Sequence, residues 1–240
     1  ARPFRGWRVL CIAGPYHRPQ FGSAGNRPGA RRARRSRAAS RKHAQEVPVR
    51  QDVATAAGVA DSNWLKASAW SDYDEDGDQD LLVVAGPRLY LHKNNGDGTF
   101  TQDSSAAVGL SNASINNSAT FGDFENDGDL DLFLAKDNQS ILYKNNGDGT
   151  FADVTIATGT GVSNARVAQW GDFDNDGDLD LFVVRGYDTA TSQNLADFLL
   201  INSAGVFENR AEVAGVAGSP TGAGDSAAVA DYNNDGFLDI

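Results

Sequence analysis

Four short stretches of the chain place oxygen-bearing side chains at alternate positions and then turn on a glycine. Numbered from the first aspartate, positions 1, 3 and 5 are Asp72, Asp74 and Asp76; Asp123, Glu125 and Asp127; Asp172, Asp174 and Asp176; and Asp231, Asn233 and Asp235. Position 6 is Gly77, Gly128, Gly177 or Gly236, and position 9 is Asp80, Asp131, Asp180 or Asp239. Position 7 is Asp78, Asp129, Asp178 or Phe237. A Phe cannot ligate through its side chain, but the backbone carbonyl at that position can, as it does in 12-residue calcium loops. An all-oxygen set closed by a sharp turn suits a hard cation of flexible coordination, which favours Ca2+ over magnesium with its tighter octahedron. Zinc would call for His or Cys, and the loops hold neither. An EF-hand needs a glutamate at position 12, where these loops have Val83, Leu134 or Val183. Each pair of carboxylates held about 4 Å apart repels by about 4 kcal/mol at an effective dielectric near 20. Loops without a cation are therefore expected to be disordered or partly protonated.

The loops belong to a longer repeat. Their first aspartates lie 51, 49 and 59 residues apart. A second motif keeps the same phase: Leu91-His-Lys-Asn-Asn-Gly-Asp-Gly-Thr-Phe100 matches Leu142-Tyr-Lys-Asn-Asn-Gly-Asp-Gly-Thr-Phe151, with a worn copy at 198–207. A third trails it and ends in Gly-Leu or Gly-Val, at Ala107–Leu110, Thr160–Val162 and Ala214–Val216, with an upstream copy at Ala56–Val59. The runs after the acidic loops, Leu81–Val84, Leu132–Leu134 and Leu181–Val184, are apolar on both faces and too short for helices, as strands buried on both sides would be. Asn-Gly pieces supply the positive φ of hairpin turns. A period of about 50 residues with several short strands per unit predicts an all-β chain, a partial β-propeller of four-stranded blades with calcium loops. Residues 49–240 would hold three near-complete blades and the start of a fourth. The 59-residue spacing marks an insertion near Gly186–Ala196, in a loop.

The blocks Trp170-Gly-Asp-Phe-Asp-Asn-Asp-Gly-Asp-Leu-Asp-Leu and Tyr143-Lys-Asn-Asn-Gly-Asp-Gly-Thr-Phe resemble the FG-GAP/VCBS repeat family. More narrowly, they are similar to the repeat region of cartilage acidic protein and of UnbV-type proteins. The resemblance implies an integrin-α-like propeller that is extracellular, at the cell surface or periplasmic, with calcium in the loop between the first two strands of each blade.

Composition divides the chain. Residues 1–50 carry thirteen Lys and Arg against one acid, Glu46, whereas the remainder carries eight bases against 31 acids. Residues 1–48 are rich in Arg, Gly, Ala and Ser and lack periodicity, so a disordered leader or an artefact of the upstream sequence is expected there. The sole cysteine, Cys11, excludes an intrachain disulfide. No apolar run is long enough for a transmembrane segment. A chain with no Met that stops as a strand begins reads as a fragment. His92, the only His of the repeats, reads as a strand surface residue, and Trp70, Phe121, Trp170 and Val229 as blade-to-blade packing. Asn112, Asn116 and Asn138 begin Asn-x-Ser sequons.

The function expected from these features is calcium-dependent binding or adhesion to an extracellular protein or glycan. Catalysis and nucleic-acid binding are not expected. A polysaccharide-active enzyme and a purely structural spacer are the alternatives. The loop with Asn233 offers three carboxylates at positions 1, 3, 5 and 9 where the others offer four, so it is expected to bind calcium most weakly.

Overall fold

A computed structural model describes residues 54–59, 65–103, 108–110, 116–218 and 224–240. The basic segment 1–48, its boundary with the repeats and the sequon at Asn112 lie outside these residues. Three four-stranded antiparallel sheets follow one another along the chain. The first is built from β1 (Ala67–Ser71), β2 (Asp80–Ala85), β3 (Arg88–Asn94) and β4 (Phe100–Asp103). The second is β5 (Asn116–Gly122), β6 (Asp131–Lys136), β7 (Ile141–Asn145) and β8 (Phe151–Asp153). The third joins β9 (Ala165–Gly171) and β10 (Asp180–Arg185) to β13 (Phe198–Ser203) and β14 (Val206–Asn209). Each sheet is an up-and-down meander, and β1, β5 and β9 lie side by side from blade to blade. This is the expected partial β-propeller. The start of a fourth blade is a single bridge, Ala230 with Asp239, across the fourth acidic loop.

The apolar runs of the second and third blades have both faces covered, because the second sits between the first and third and the third between the second and the start of the fourth. Along β6, Leu132 and Leu134 pack with Leu82, Val84 and Leu91 of the first blade. The alternate residues Phe133 and Ala135 pack with Leu181, Val183 and Phe207 of the third. Along β10, Phe182 and Val184 face the other way and meet Val229, Leu238 and Ile240. The two-residue alternation of a strand thus serves two interfaces at once. His92 is buried, contrary to the surface position expected, and stacks at 6.5 Å on Tyr90. Strand pairing sets Tyr143 and Leu200, one residue on from the Leu199 that an ungapped match of the motifs suggests, opposite the same β-strand position as His92, and both are buried, so the register position is interior. Phe121, Trp170 and Val229 pack between blades as expected, but Trp70 is half-exposed and meets only the edge of Phe100 among aromatic rings. Its indole lies on the outer face of the first described blade. Asn116 is buried in β5, which leaves Asn138, exposed between β6 and β7, as the accessible sequon among the described residues.

The third repeated motif closes a helical turn: α1 (Ala54–Ala57), α2 (Thr155–Thr158) and α3 (Ala211–Ala214). Its closing glycine is Gly58, Gly159 or Gly215, all at positive φ. In the second blade the capping residue is therefore Gly159, two positions before the Gly161 that the Gly-Val pattern singles out. The turn that follows one blade leans on the last strand of the next. Val108 accepts the Phe151 N–H at 2.8 Å, and a Cβ at Gly109 would stand 2.2 Å from the Phe151 carbonyl oxygen.

Strand direction reverses at every turn. The acidic loops and Asn-Gly hairpins therefore gather at one end of the sheets, and the β2–β3-type connections and helical turns at the other. The insertion is a two-stranded ribbon, β11 (Tyr187–Asp188) paired with β12 (Gln193–Asn194), on that second end. Gly109→Ala meets both a left-handed backbone (φ +86) and the Phe151 carbonyl, whereas Gly215→Ala meets only the left-handed backbone (φ +77). Chemical denaturation should show a loss of about 1 kcal/mol for Gly215→Ala and roughly 2–3 kcal/mol for Gly109→Ala. Equal losses would contradict the close approach.

Candidate metal centres

Each acidic loop is a turn drawn together by its own backbone. In the third, the Asp172 carboxylate accepts the Asp176 and Gly177 N–H groups, both at 3.1 Å, and Asp176 accepts the Asp178 N–H at 2.9 Å. Asp123 and Asp127 repeat this in the second loop, and Asp231 and Asp235 in the fourth. In the first, Asp72 accepts the Gly77 N–H at 3.0 Å and Asp76 the Asp78 N–H at 3.0 Å. Position 4 is left-handed in all four, at Glu75, Asn126, Asn175 and Asn234, and position 6 is glycine at still larger φ. Asn tolerates that conformation far better than Glu. Positions 1 and 5 of every loop are thus tied to the loop's own backbone N–H groups.

The position-9 aspartates of the first three loops are buried and have a structural duty. Asp131 accepts the Phe124 N–H from position 2 of its loop at 3.1 Å and the Asn145 N–H from the end of β7 at 2.9 Å. Asp80 does the same with Tyr73 and Asn94, and Asp180 with Phe173 and Asn202. Loss of hydration on burial pushes the carboxyl up to about 6 at Asp80, about 7 at Asp131 and about 6 at Asp180. The partial protonation expected of the loops falls mainly here. The asparagine bonded to this carboxylate also reaches the preceding blade. Asn145 Nδ2 donates to the Tyr73 carbonyl at 2.8 Å, and Asn202 Nδ2 to the Phe124 carbonyl at 2.7 Å.

Whether the residues present suit a divalent cation is tested by oxygens left without a donor. In the first loop the buried Asp72 Oδ1 and Asp74 Oδ1 have no hydrogen-bond partner. Ligand atoms of Asp72, Asp74 and Asp80 lie within 4.8 Å of one another, as do those of Asp172, Asp174 and Asp176. Burying unpartnered carboxylate oxygens is costly unless a cation meets them, so the set fits the ion. Position 7 behaves differently. Its side chains turn sideways: Asp178 accepts the Asn126 Nδ2 of the preceding loop at 2.8 Å, and the carboxyl of Asp129 pairs with Glu75. Phe237 is half-exposed. The side chains of Asp178 and Asp129 are thus engaged by the neighbouring loop.

Sequence reasoning did not single out Lys93 or Lys144. Lys93 on β3 ion-pairs with Asp74 and, at 3.2 Å, with Asp76. Lys144 on β7 ion-pairs with Glu125 and, at 3.2 Å, with Asp127. A signal was present in the sequence: each lysine immediately precedes the Asn-Asn-Gly run, while the third blade has Ile201 before Asn202.

Consecutive up-and-down blades joined by short turns, with an acidic turn between the first two strands of each, define a β-propeller repeat protein. Matches to the FG-GAP-like repeat family cover residues 72–134 and 123–183, and the chain is an FG-GAP repeat protein. Among solved structures, a lectin from Agrocybe aegerita, described as recognising non-reducing terminal N-acetylglucosamine, is similar at 21% identity with a TM-score of 0.36. That similarity covers 58% of this chain and 36% of the lectin. No curated protein matches the chain.

A carboxyl whose pKa folding raises holds its proton more tightly in the folded chain than in the unfolded one. Its contribution to stability therefore declines as pH rises from the usual carboxylate range through about 7. With chelator present, the Tm should fall between about pH 5 and about pH 8, and calcium, which requires ionised ligands, should reverse the slope. A chelated protein whose Tm rises over that interval would contradict this account of the buried aspartates.

Proposed function

We propose that residues 49–240 form a calcium-binding, extracellular β-propeller module that binds a protein or glycan and does not catalyse a reaction. The observation that carries the calcium reading is the pair of buried, donorless oxygens, Asp72 Oδ1 and Asp74 Oδ1, aimed into a loop built of carboxylates. The ion would be held by positions 1, 3, 5 and 9 with the position-7 carbonyl: Asp72, Asp74, Asp76, Asp78 and Asp80 in the first loop, and their equivalents in the others. When bound, calcium supplies charge neutralisation in a segment with 31 acids and nine bases, which favours the compact state. Affinities of about 10⁻⁴–10⁻³ M are expected, as for extracellular modules.

The binding role is supported by the division of labour between the two ends of the sheets. The acidic loops occupy one end. The inserted ribbon, with Tyr187 exposed, occupies the other and is free to vary without disturbing an ion. A non-catalytic role is supported by the burial of His92, the one histidine of the blades. Among the described residues no helix is long and apolar enough to cross a membrane. The narrower resemblance to cartilage acidic protein and UnbV-type proteins belongs with this reading.

Thermal unfolding of the full chain in chelator, in magnesium and in calcium tests the metal assignment. Calcium at about 10–100 times Kd should add roughly 1–3 kcal/mol per occupied site, with a much smaller effect of magnesium. Asp176→Ala should remove one site's share. A Tm indifferent to calcium would overturn the assignment.

A further inference from the structure

The first and third loops gather different ligands, and the difference follows a single residue on the third strand of the blade. In the third loop the close set is Asp172, Asp174 and Asp176, which includes position 5. In the first it is Asp72, Asp74 and Asp80, without position 5. There the Lys93 ammonium stands between Asp74 and Asp76. In the second loop, where Lys144 bridges Glu125 and Asp127, no three carboxylates gather this closely. Register fixes the equivalence. Lys93, Lys144 and Ile201 each precede the asparagine whose N–H bonds the position-9 aspartate, and they pair with Thr101, Ala152 and Glu208 on the last strand of their blades. Ile201 carries no charge and packs against the apolar cluster between the third blade and the fourth loop. Among the described residues no lysine or arginine forms an ion pair with the third loop.

We infer that Lys93 and Lys144 are built-in competitors of the metal, ammonium groups bridging positions 3 and 5 that calcium must displace, so that the third loop, with Ile201, is the high-affinity site. This inference rests on the calcium reading above. Before an ion can use all of its carboxylates in the first two loops, two ion pairs must break and the lysine must swing into solvent. Both lysine side chains are about one-third exposed, so a route outward exists. The competitor also changes what the empty loop costs. The first two loops carry an internal counter-charge when no ion is bound, while the third has none and depends most on the ion. The weakest class of sites then includes the two lysine loops and not only the loop with Asn233. The propeller would be held at one blade interface at low calcium and stiffened at the others as the concentration rises.

The test is calorimetric titration of calcium alone into the full chain, with the Tm of every variant in chelator as the check on folding. Wild type should show one tighter site, lost in Asp176→Asn, and a weaker class. The double variant Lys93→Ile/Lys144→Ile should tighten that weaker class by roughly three- to tenfold, the affinity equivalent of breaking one or two partly exposed ion pairs. Ile201→Lys should weaken the tight site by a similar factor, and Ile201→Gln should leave it nearly unchanged, which separates charge from packing. Should Ile201→Lys fail to fold, the lysine double variant decides alone. Calcium binding with unchanged affinities in the double variant, or a tightest site that survives Asp176→Asn, would overturn the competitor role and leave the calcium reading standing. No calcium binding in wild type or any variant would overturn both.

Discussion

The structure depends on a carboxylate placed where water does not reach. At Asp80, Asp131 and Asp180 a carboxyl group is buried at the base of each of the first three acidic loops. Burial of an unpaired charge is among the costliest events in folding, and two backbone N–H groups answer it in each blade. One comes from the loop and one from the third strand, so the aspartate fixes where the loop ends relative to a strand far along the chain. The asparagine at that strand end then reaches across to the loop of the preceding blade, through Asn145 to Tyr73 and Asn202 to Phe124. Loop, strand and neighbouring blade are coupled through one side chain.

The coupling would give a bound divalent cation leverage over the blade interface. A loop that only decorated the surface could gain or lose an ion without consequence for the fold. Here the loop's last aspartate is also the anchor of the blade interface, and its ionised form is held back by desolvation. A cation among positions 1, 3 and 5 favours the charged form of the carboxylate beside it. Lys93 and Lys144 answer part of the same electrostatic problem with covalently tethered charge. The chain therefore uses two solutions to carboxylate crowding, and the blades differ in which one dominates.

Much of this was legible in the sequence because repetition exposes it. Gly at position 6 and Asp at position 9 recur in all four loops, and the doubly apolar runs after them have only one home, a strand between two packed faces. What was not legible falls into two kinds. Some elements are too short to have a period: the four-residue helical turns show no helical pattern, and only the Gly58, Gly159 and Gly215 caps mark where they end. The Gly-Val match in the second blade misled by two residues because Gly161 sits beside the true cap. Other features exist only once strands are paired. Burial of His92 follows from its register with Tyr143 and Leu200, and Lys93 and Asp74, 19 residues apart, meet only when β3 lies against the strand that leaves the loop. The ribbon at 187–194 was legible as an insertion, but its placement opposite the acidic loops required the strand order.

The claim that the loops are metal sites built around a buried anchor is tested most directly by crystallising the full chain with calcium and measuring anomalous scattering. The account predicts an anomalous peak among Asp172, Asp174 and Asp176, with Asp180 still accepting the Phe173 and Asn202 N–H groups behind it. Well-ordered loops with no peak at millimolar calcium would contradict it.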